Sequence, residues 1–128
     1  MPHRYYTPEL ANRALPLVAR IVADVKSTAD LLARVIESHQ RSERPRDAAW
    51  QDELDSQVEP LAVRWRALFA ELSELGVELK DARTGLIDFR ARRRGADVYL
   101  CWRLGEASVL FWHPLETGLP GREPISTF

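Results

Sequence analysis

Two long runs of apolar residues at alternating spacings of four and three dominate the chain up to Gly76. The repeating positions are Ala14, Val18, Ile21, Val25, Thr28, Leu32 and Val35 in the first run, and Leu54, Val58, Leu61, Trp65, Leu68, Leu72 and Leu75 in the second. Helices that pack along a continuous apolar seam have this spacing. The pattern therefore predicts two long helices that pair as a hairpin.

Local signals mark the ends of both helices. Thr7 followed by Pro8 is typical of a helix start, because Thr caps free backbone N–H groups and Pro has none to cap. The segment 41–47 contains a proline and no apolar residue, so it predicts the turn, with Asp47 as the N-cap of the second helix. Gly76 is expected to end that helix.

Beyond Gly76 the spacing becomes alternating, as in strands. Four short segments rich in β-branched and aromatic residues are separated by turn-forming residues: Val77–Lys80, Gly85–Phe89, Asp97–Leu104 and Ser108–Trp112. They predict an antiparallel meander of three or four strands. The expected fold is α+β, a single domain over residues 1–128, with the helical hairpin at about 7–76 and the sheet and tail at about 77–128.

The third predicted strand has two different faces. Val98, Leu100, Trp102 and Leu104 share one face and are expected to form core. Tyr99, Cys101 and Arg103 share the other. A core needs neither an Arg nor a Tyr hydroxyl, so the second face is the place to look for a binding site.

Composition limits the class of protein. A chain of 128 residues with 45% hydrophobic residues is the size of one globular domain, and its net charge of −1 gives no overall attraction to nucleic acid or anionic lipid. One cysteine excludes an internal disulfide. The first residues lack an apolar signal core, and no run approaches the roughly 20 apolar residues of a membrane span. We therefore expect a cytoplasmic protein that does not enter membranes.

The apolar stripes of the two helices are wider than one partner helix can cover. The sheet and a second copy of the chain are the two candidates for covering the remainder. A hairpin of such length outreaches a small sheet, so we expect a homodimer that forms a four-helix bundle.

Asp88 is the first candidate site residue, because it lies between Ile87 and Phe89, where a half-buried carboxylate needs a partner. Arg103 on the next strand is the expected partner. The pair is either structural or, together with Arg122, lines a pocket for an anionic small molecule. Gly118 and Gly121 precede Arg122 in GLPGREP and allow backbone N–H groups to converge on an anion, although such a segment is more often a plain turn.

Cys101 and His113 fit either two metal ligands or a nucleophile and its base. A three-residue loop at Gly105–Ala107 brings them to one face, whereas a two-residue loop separates them. The simplest interpretation is a buried thiol and a His bonded to nearby backbone. No CxxC, HExxH or HxE pattern is present, so we predict no tightly held metal, and no pattern names a cofactor.

Four arginines, Arg90, Arg92, Arg93 and Arg94, form a basic run in a predicted hairpin loop. Such a run suits phosphate contacts with nucleic acid. A stacking platform is missing, however, because Tyr99 and Trp102 fall on opposite faces of their strand. We therefore interpret the run as a solvated loop and do not expect nucleic acid as a partner.

Three stretches of the chain resemble a known family: YYTPELANRALPLV, GVELKDARTGLIDF, and VYLCWRLGE with FWHPLETGLPGR. They are similar to the small bacterial proteins grouped as domain-of-unknown-function family 2203. The resemblance spans nearly the whole chain, with Arg90 standing where the family pattern often has Pro. It implies a shared fold and site region and names no activity.

Two hypotheses about function follow. The first is a dimeric binding or scaffold module whose polar sheet face, with Asp88, Cys101, Arg103, His113 and Arg122, accepts an anionic small molecule or a protein segment. The second is a small enzyme that acts on an acidic substrate with Asp88, Cys101 or His113 as its catalytic group. An enzyme needs a water-accessible pocket with a titratable group in it, whereas a scaffold does not.

Overall fold

The computed structural model describes residues 4–128, and it begins with the two predicted helices. Helix α1 spans Pro8–Arg41 and helix α2 spans Ala48–Glu74. The side chains of Thr7 and Asp47 each accept a hydrogen bond from a backbone N–H of the first turn. Gly76 follows α2 with a φ of +73°. The hairpin and its end signals are therefore confirmed.

The C-terminal part forms one antiparallel sheet whose five strands lie in chain order. Their bounds are Val77–Asp81 for β1, Leu86–Arg93 for β2, Ala96–Arg103 for β3, Phe111–Pro114 for β4 and Glu123–Pro124 for β5. The predicted α+β fold and meander are confirmed. Strand β5 was not predicted, because two residues are too few to produce an alternating pattern.

Strand β2 is longer than its apolar residues indicate. The turn expected at Arg90–Ala96 consists only of Arg94 and Gly95, with φ angles of 52° and 81° that suit a two-residue hairpin turn. Arg92 lies on the strand, and its Nε atom is 3.2 Å from Oδ1 of Asp97 on β3. Cross-strand ion pairs of this kind let basic residues continue a strand.

The fourth strand begins later than the predicted Ser108–Trp112. It spans Phe111–Pro114, because the preceding residues bind other parts of the chain. The backbone N–H of Val109 donates to Oδ1 of Asn12 on α1, at 2.7 Å. This bond fastens the long β3–β4 connection to the first helix.

One face of the sheet packs against the helices and forms the core. The buried apolar residues are Tyr6, Ala11, Leu15, Val18, Ile21, Val22, Val25, Leu68, Leu72, Val77, Ile87, Phe89, Ala91, Val98, Leu100, Trp102, Val109 and Trp112. Val98, Leu100 and Trp102 belong to this set, and Leu104 packs at its edge. The expected core face of β3 is thus confirmed, and the opposite face is free to carry polar residues.

The part of the hairpin nearest its turn is less well covered. Helix α2 has only two buried residues, Leu68 and Leu72, both near its C-terminal end. Leu54, Val58, Leu61 and Trp65 of the same stripe are only half-buried. Apolar surface therefore remains exposed on the hairpin of the single chain.

Candidate functional site

Three predicted site residues lie next to one another on the polar face of the sheet, the face opposite the helices. Asp88 on β2 is paired with Cys101 on β3, and His113 on β4 is paired with Tyr99. Because side chains alternate between faces along a strand, all four point away from the helices. The observed register brings Cys101 and His113 to one face, and it excludes the register that paired Val98 with His113.

The three side chains are buried although they lie on the outer face. Asp88, Cys101 and His113 are 3%, 1% and 2% exposed. Leu115 and Leu119, from the chain after β4, line the same small pocket as these residues. The C-terminal tail therefore covers a polar cluster that the sheet alone would leave in water.

Asp88 and His113 are directly bonded. His113 Nε2 lies 3.2 Å from Oδ1 and 3.1 Å from Oδ2 of Asp88. The other ring nitrogen, Nδ1, lies 2.7 Å from the backbone oxygen of Pro114. Since a carbonyl oxygen only accepts, Nδ1 carries a hydrogen and donates it. The ring orientation is thus fixed by the backbone, and Nε2 is directed at the carboxyl group.

The Asp88–His113 pair is electrically balanced. Burial raises the pKa of the Asp88 carboxyl, against the opposing effect of His113. With Nδ1 already protonated, one further proton lies between Nε2 and the carboxyl group. The pair is therefore either a neutral acid with a neutral imidazole or an ion pair, and both have zero net charge, which suits a buried site.

Cys101 completes the cluster as a protonated thiol. Burial, with the nearby Asp88 charge, raises the pKa of the thiol to about 11. The thiolate is the nucleophilic form of cysteine, so a thiol with this pKa is unreactive at neutral pH. Both nitrogens of His113 are already directed at oxygen atoms, so the imidazole is not available as a base for the sulfur. The predicted pairing of Cys101 as a nucleophile with His113 as its base therefore does not match the observed geometry.

The same three residues do have the geometry of metal ligands. One carboxylate oxygen of Asp88, Sγ of Cys101 and one ring nitrogen of His113 all lie within 4.8 Å of one another. The sequence-based prediction of no metal assumed only two ligands. Asp88 offers a third ligand atom next to the other two, so that assumption does not hold.

A small pocket opens beside the three ligand atoms. Its volume is about 150 Å³, and besides the cluster it is lined by Lys80, Leu86, Tyr99, Leu115, Gly118 and Leu119. A cavity of this volume holds a molecule about as large as benzene. The site therefore has room for a small ligand next to the cluster.

Lys80 is a site residue that sequence reasoning missed. It stands at an irregularity of β1, where the pairing with β2 shifts between Leu79 and Asp81. Its Nζ atom lies 3.1 Å from Oε1 of Glu78, which also accepts a hydrogen bond of 2.7 Å from the Tyr99 hydroxyl. Glu78 and Lys80 are two residues apart on β1. Their position beside the Asp88 cluster becomes visible only when the register between β1 and β2 is known.

Arg103 and Arg122 do not join Asp88, contrary to expectation. Arg103 pairs with Leu86 across the sheet and is exposed, and no ion pair links it to Asp88 within residues 4–128. Arg122 forms two bonds with Glu106, Nη1 to Oε2 at 2.9 Å and Nη2 to Oε1 at 2.6 Å. The expected Asp88–Arg103 pair is wrong because His113 on β4 is the partner of Asp88.

Arg122 instead has a positioning role. Its Nη2 atom is 3.5 Å from the backbone oxygen of Cys101, and its guanidinium lies 4.2 Å from the centre of the Phe111 ring. These contacts hold the tail against β3 and β4. The tail residues that cover the cluster are thereby fixed in place.

Part of the basic run is occupied by contacts within the chain. Besides the Arg92–Asp97 pair, Arg93 Nη2 donates to the backbone oxygen of Thr127, at 3.0 Å, and stacks on the Trp112 ring. These arginines therefore secure the turn and the C-terminus to the sheet.

The fold and the site together define a small α+β protein with a helical hairpin and a polar cluster under its C-terminal tail. The model of the family described as Uncharacterized conserved protein (DUF2203) matches residues 4–125, so this chain belongs to that family. No curated protein and no solved structure matches the chain. Within residues 4–128, neither helix combines the length and apolar character that crossing a membrane requires.

Proposed function

We propose that this protein binds a divalent metal ion through Asp88, Cys101 and His113. The observation that carries the proposal is the convergence of a carboxylate oxygen, a thiol sulfur and an imidazole nitrogen within 4.8 Å, all three buried. Asp88 and His113 are bonded to each other in the metal-free protein, and a metal ion would provide one shared partner for all three side chains.

The surroundings of His113 support the proposal. A metal-binding histidine almost always donates its second N–H to a carbonyl or carboxylate oxygen, which fixes the ring orientation. His113 Nδ1 has such a partner in the Pro114 oxygen, at 2.7 Å. His113 Nε2 and Asp88 Oδ2 are 3.1 Å apart, close to the roughly 3.3 Å between two ligands of a tetrahedral ion with bonds of about 2.0 Å.

The ligand types favour zinc. Sulfur and imidazole ligands suit Zn²⁺, whereas Mg²⁺ and Ca²⁺ take oxygen ligands almost exclusively. Three protein ligands leave one tetrahedral position for water or another small molecule. Metal binding would deprotonate the Cys101 thiol and the Asp88–His113 pair, so the bound form would carry two anionic ligands and one neutral ligand.

The test is zinc binding by the purified, untagged protein. Elemental analysis should find one zinc per chain, and isothermal titration of the metal-free protein should give the same stoichiometry. We expect the zinc affinity to fall at least about tenfold in each of three variants: Asp88→Asn, Cys101→Ser and His113→Gln. Loss of a group that only contacts a metal ligand already lowers metal affinity by about tenfold to a hundredfold.

His39→Gln is the matched control. His39 is also buried, and its Nδ1 atom also faces a backbone oxygen, that of Val35, but it is absent from the cluster. Wild-type protein that shows no saturable zinc binding would refute the proposal. So would equal zinc affinity in the three cluster variants and His39→Gln.

A small enzyme that acts on an acidic substrate is the second candidate. The observation that favours it is the pocket beside the three ligands, since catalytic zinc sites keep one position open whereas structural ones are closed. In that case the metal, rather than Cys101 as a nucleophile, would supply the chemistry, because a thiolate bound to the metal is not free to attack a substrate. Hydrolysis of an acidic substrate by the zinc-loaded protein, lost when zinc is removed and in Asp88→Asn, would favour this candidate over a plain binding module.

We also propose that the chain forms a homodimer through the helical hairpin. A hollow of about 400 Å³ on the hairpin is lined chiefly by apolar side chains of both helices, including Leu32, Ile36 and Trp65. Ile36 and Val63 are 36% and 52% exposed. Pairing of two hairpins as a four-helix bundle would bury these residues, which is the usual arrangement for stripes of this width.

A further inference from the structure

We propose that the open position of the metal centre takes the carboxylate of a short aliphatic acid and that Lys80 binds the same carboxylate. This inference rests on the proposed metal site. It names the class of ligand that the pocket beside Asp88, Cys101 and His113 would accept.

Size is the first reason. The pocket measures about 150 Å³, enough for a molecule the size of benzene and too small for a nucleotide, a sugar phosphate or a peptide. An acid of two to about five carbon atoms fits this volume, whereas a larger ligand would extend beyond the pocket lined by Leu115 and Leu119.

Charge is the second reason. A divalent ion with two anionic ligands, Asp88 and Cys101, and one neutral ligand, His113, has no net charge, so a further anion requires another cation. Lys80 is the cationic residue among those that line the pocket. One lysine balances one carboxylate, whereas a phosphate dianion would need more positive charge.

Lys80 is free to serve a ligand because its present partner has other donors. Glu78 accepts a hydrogen bond from the Tyr99 hydroxyl at 2.7 Å. The second oxygen of Glu78 lies 3.7 Å from Nε of Arg90. If Lys80 turned towards a ligand, Glu78 would therefore remain paired, and the turn would leave no buried charge without a partner.

The walls of the pocket are the third reason. Leu86, Leu115 and Leu119 supply apolar contacts opposite the polar cluster. Such a combination of apolar walls with a few polar groups that fix orientation is typical of small-molecule sites. A carboxylate with a short hydrocarbon chain matches it, with the charged end at the metal and Lys80 and the chain against the leucines.

The experiment uses the full chain loaded with Co²⁺, whose visible absorption reports the ligands around the ion. Acetate, propionate, butyrate and inorganic phosphate are titrated separately. We expect saturable spectral changes with the carboxylates, tighter binding of butyrate than of acetate, and weaker binding of phosphate. Lys80→Met should weaken carboxylate binding at least about tenfold while Co²⁺ affinity stays within about twofold.

Lys26→Met is the matched control, because Lys26 is also a lysine paired with a carboxylate, that of Asp30, and lies on α1 away from the pocket. It should leave carboxylate binding unchanged. Cobalt-loaded protein whose spectrum does not respond to any carboxylate would overturn this inference and leave the metal site intact. Equal carboxylate affinity in Lys80→Met and wild type would overturn it as well. Absence of Co²⁺ binding would overturn the metal site itself, and the carboxylate site with it.

Discussion

The Nε2 atom of His113 lies 3.1 Å from Oδ2 of Asp88, with both side chains buried on the outer face of the sheet. The bond joins β2 to β4 across the intervening strand β3. Its partners lie 25 residues apart in the sequence. It places the Asp88 carboxylate next to the Cys101 thiol, so the three candidate residues form one site.

Substitution of Asp88 should separate loss of charge from loss of bonding. In the metal-free protein Asp88→Ala leaves His113 Nε2 buried without a partner, which should cost about 1–3 kcal/mol in the free energy of unfolding. Asp88→Asn should cost less, because the amide N–H can donate to Nε2. Urea unfolding measures the stability of both variants. Asp24→Ala is the control, because Asp24 is exposed and only weakly paired with Arg64. Equal stability of the alanine variant and wild type would contradict the buried bond.

The Arg122–Glu106 pair should make stability depend on pH in the acid range. Burial pulls the pKa of Glu106 upward, but hydrogen bonds from Arg122 and from the Arg103 N–H outweigh it, so the pKa lies below its usual range. A carboxyl with a lowered folded-state pKa contributes stability above its unfolded value of about 4.3, and this is lost as pH falls through the folded value.

Glu106→Gln should therefore destabilise the protein at pH 7, by about 1–3 kcal/mol. The difference from wild type should shrink below about pH 4, where the wild-type Glu106 takes up its proton. Urea unfolding at several pH values is the measurement. A difference that stays constant from pH 7 to pH 3 would show that the charge of Glu106 is not the cause.

The helical hairpin was predictable because its signals are local. Thr7, Asp47 and Gly76 act on neighbouring backbone groups, and the four-three spacing is visible within each helix. Cys101 was assigned to the polar face for the same reason, since alternation within one strand decides its direction.

The partner of Asp88 was not predictable in the same way. Arg103 was the expected partner because it lies on the neighbouring strand, yet the true partner, His113, lies on the strand beyond. Two hairpin registers must both be known before these strands can be aligned. Lys80 was missed because an irregularity in β1 changes its position relative to β2. Long-range register, which the local sequence does not specify, decided both outcomes.

Gly85 should be among the least replaceable residues of the sheet. A Cβ atom there would lie 2.6 Å from Cβ of Leu104 and 3.0 Å from Cγ1 of Val22. Gly95 also has a positive φ, but a Cβ atom there meets nothing within 4 Å. Gly95→Ala should cost about 1 kcal/mol from backbone strain alone. Gly85→Ala should lower the stability clearly more, because Leu104 and Val22 on α1 would have to move away. Equal shifts of the melting temperature in the two variants would contradict this packing.

The dimer prediction requires a test away from the core of the single chain. Leu68 is only 7% exposed and packs within that core, so Leu68→Glu should unfold the protein whatever its assembly. Ile36 lines the apolar hollow and is 36% exposed. Ile36→Glu should give a folded monomer, whereas the exposed Gln57→Glu should stay dimeric. Light scattering and circular dichroism measure both properties. A monomeric wild type at micromolar concentration would contradict the dimer.

X-ray absorption at the zinc edge of the loaded protein tests the central claim most directly. A centre formed by Asp88, Cys101 and His113 should give one sulfur at about 2.3 Å and two protein N or O atoms at about 2.0–2.2 Å, with room for one further light atom. Cys101→Ser should remove the sulfur contribution and leave the light atoms. A zinc shell without sulfur in the wild-type protein, or with more than one sulfur per ion, would contradict the proposed centre.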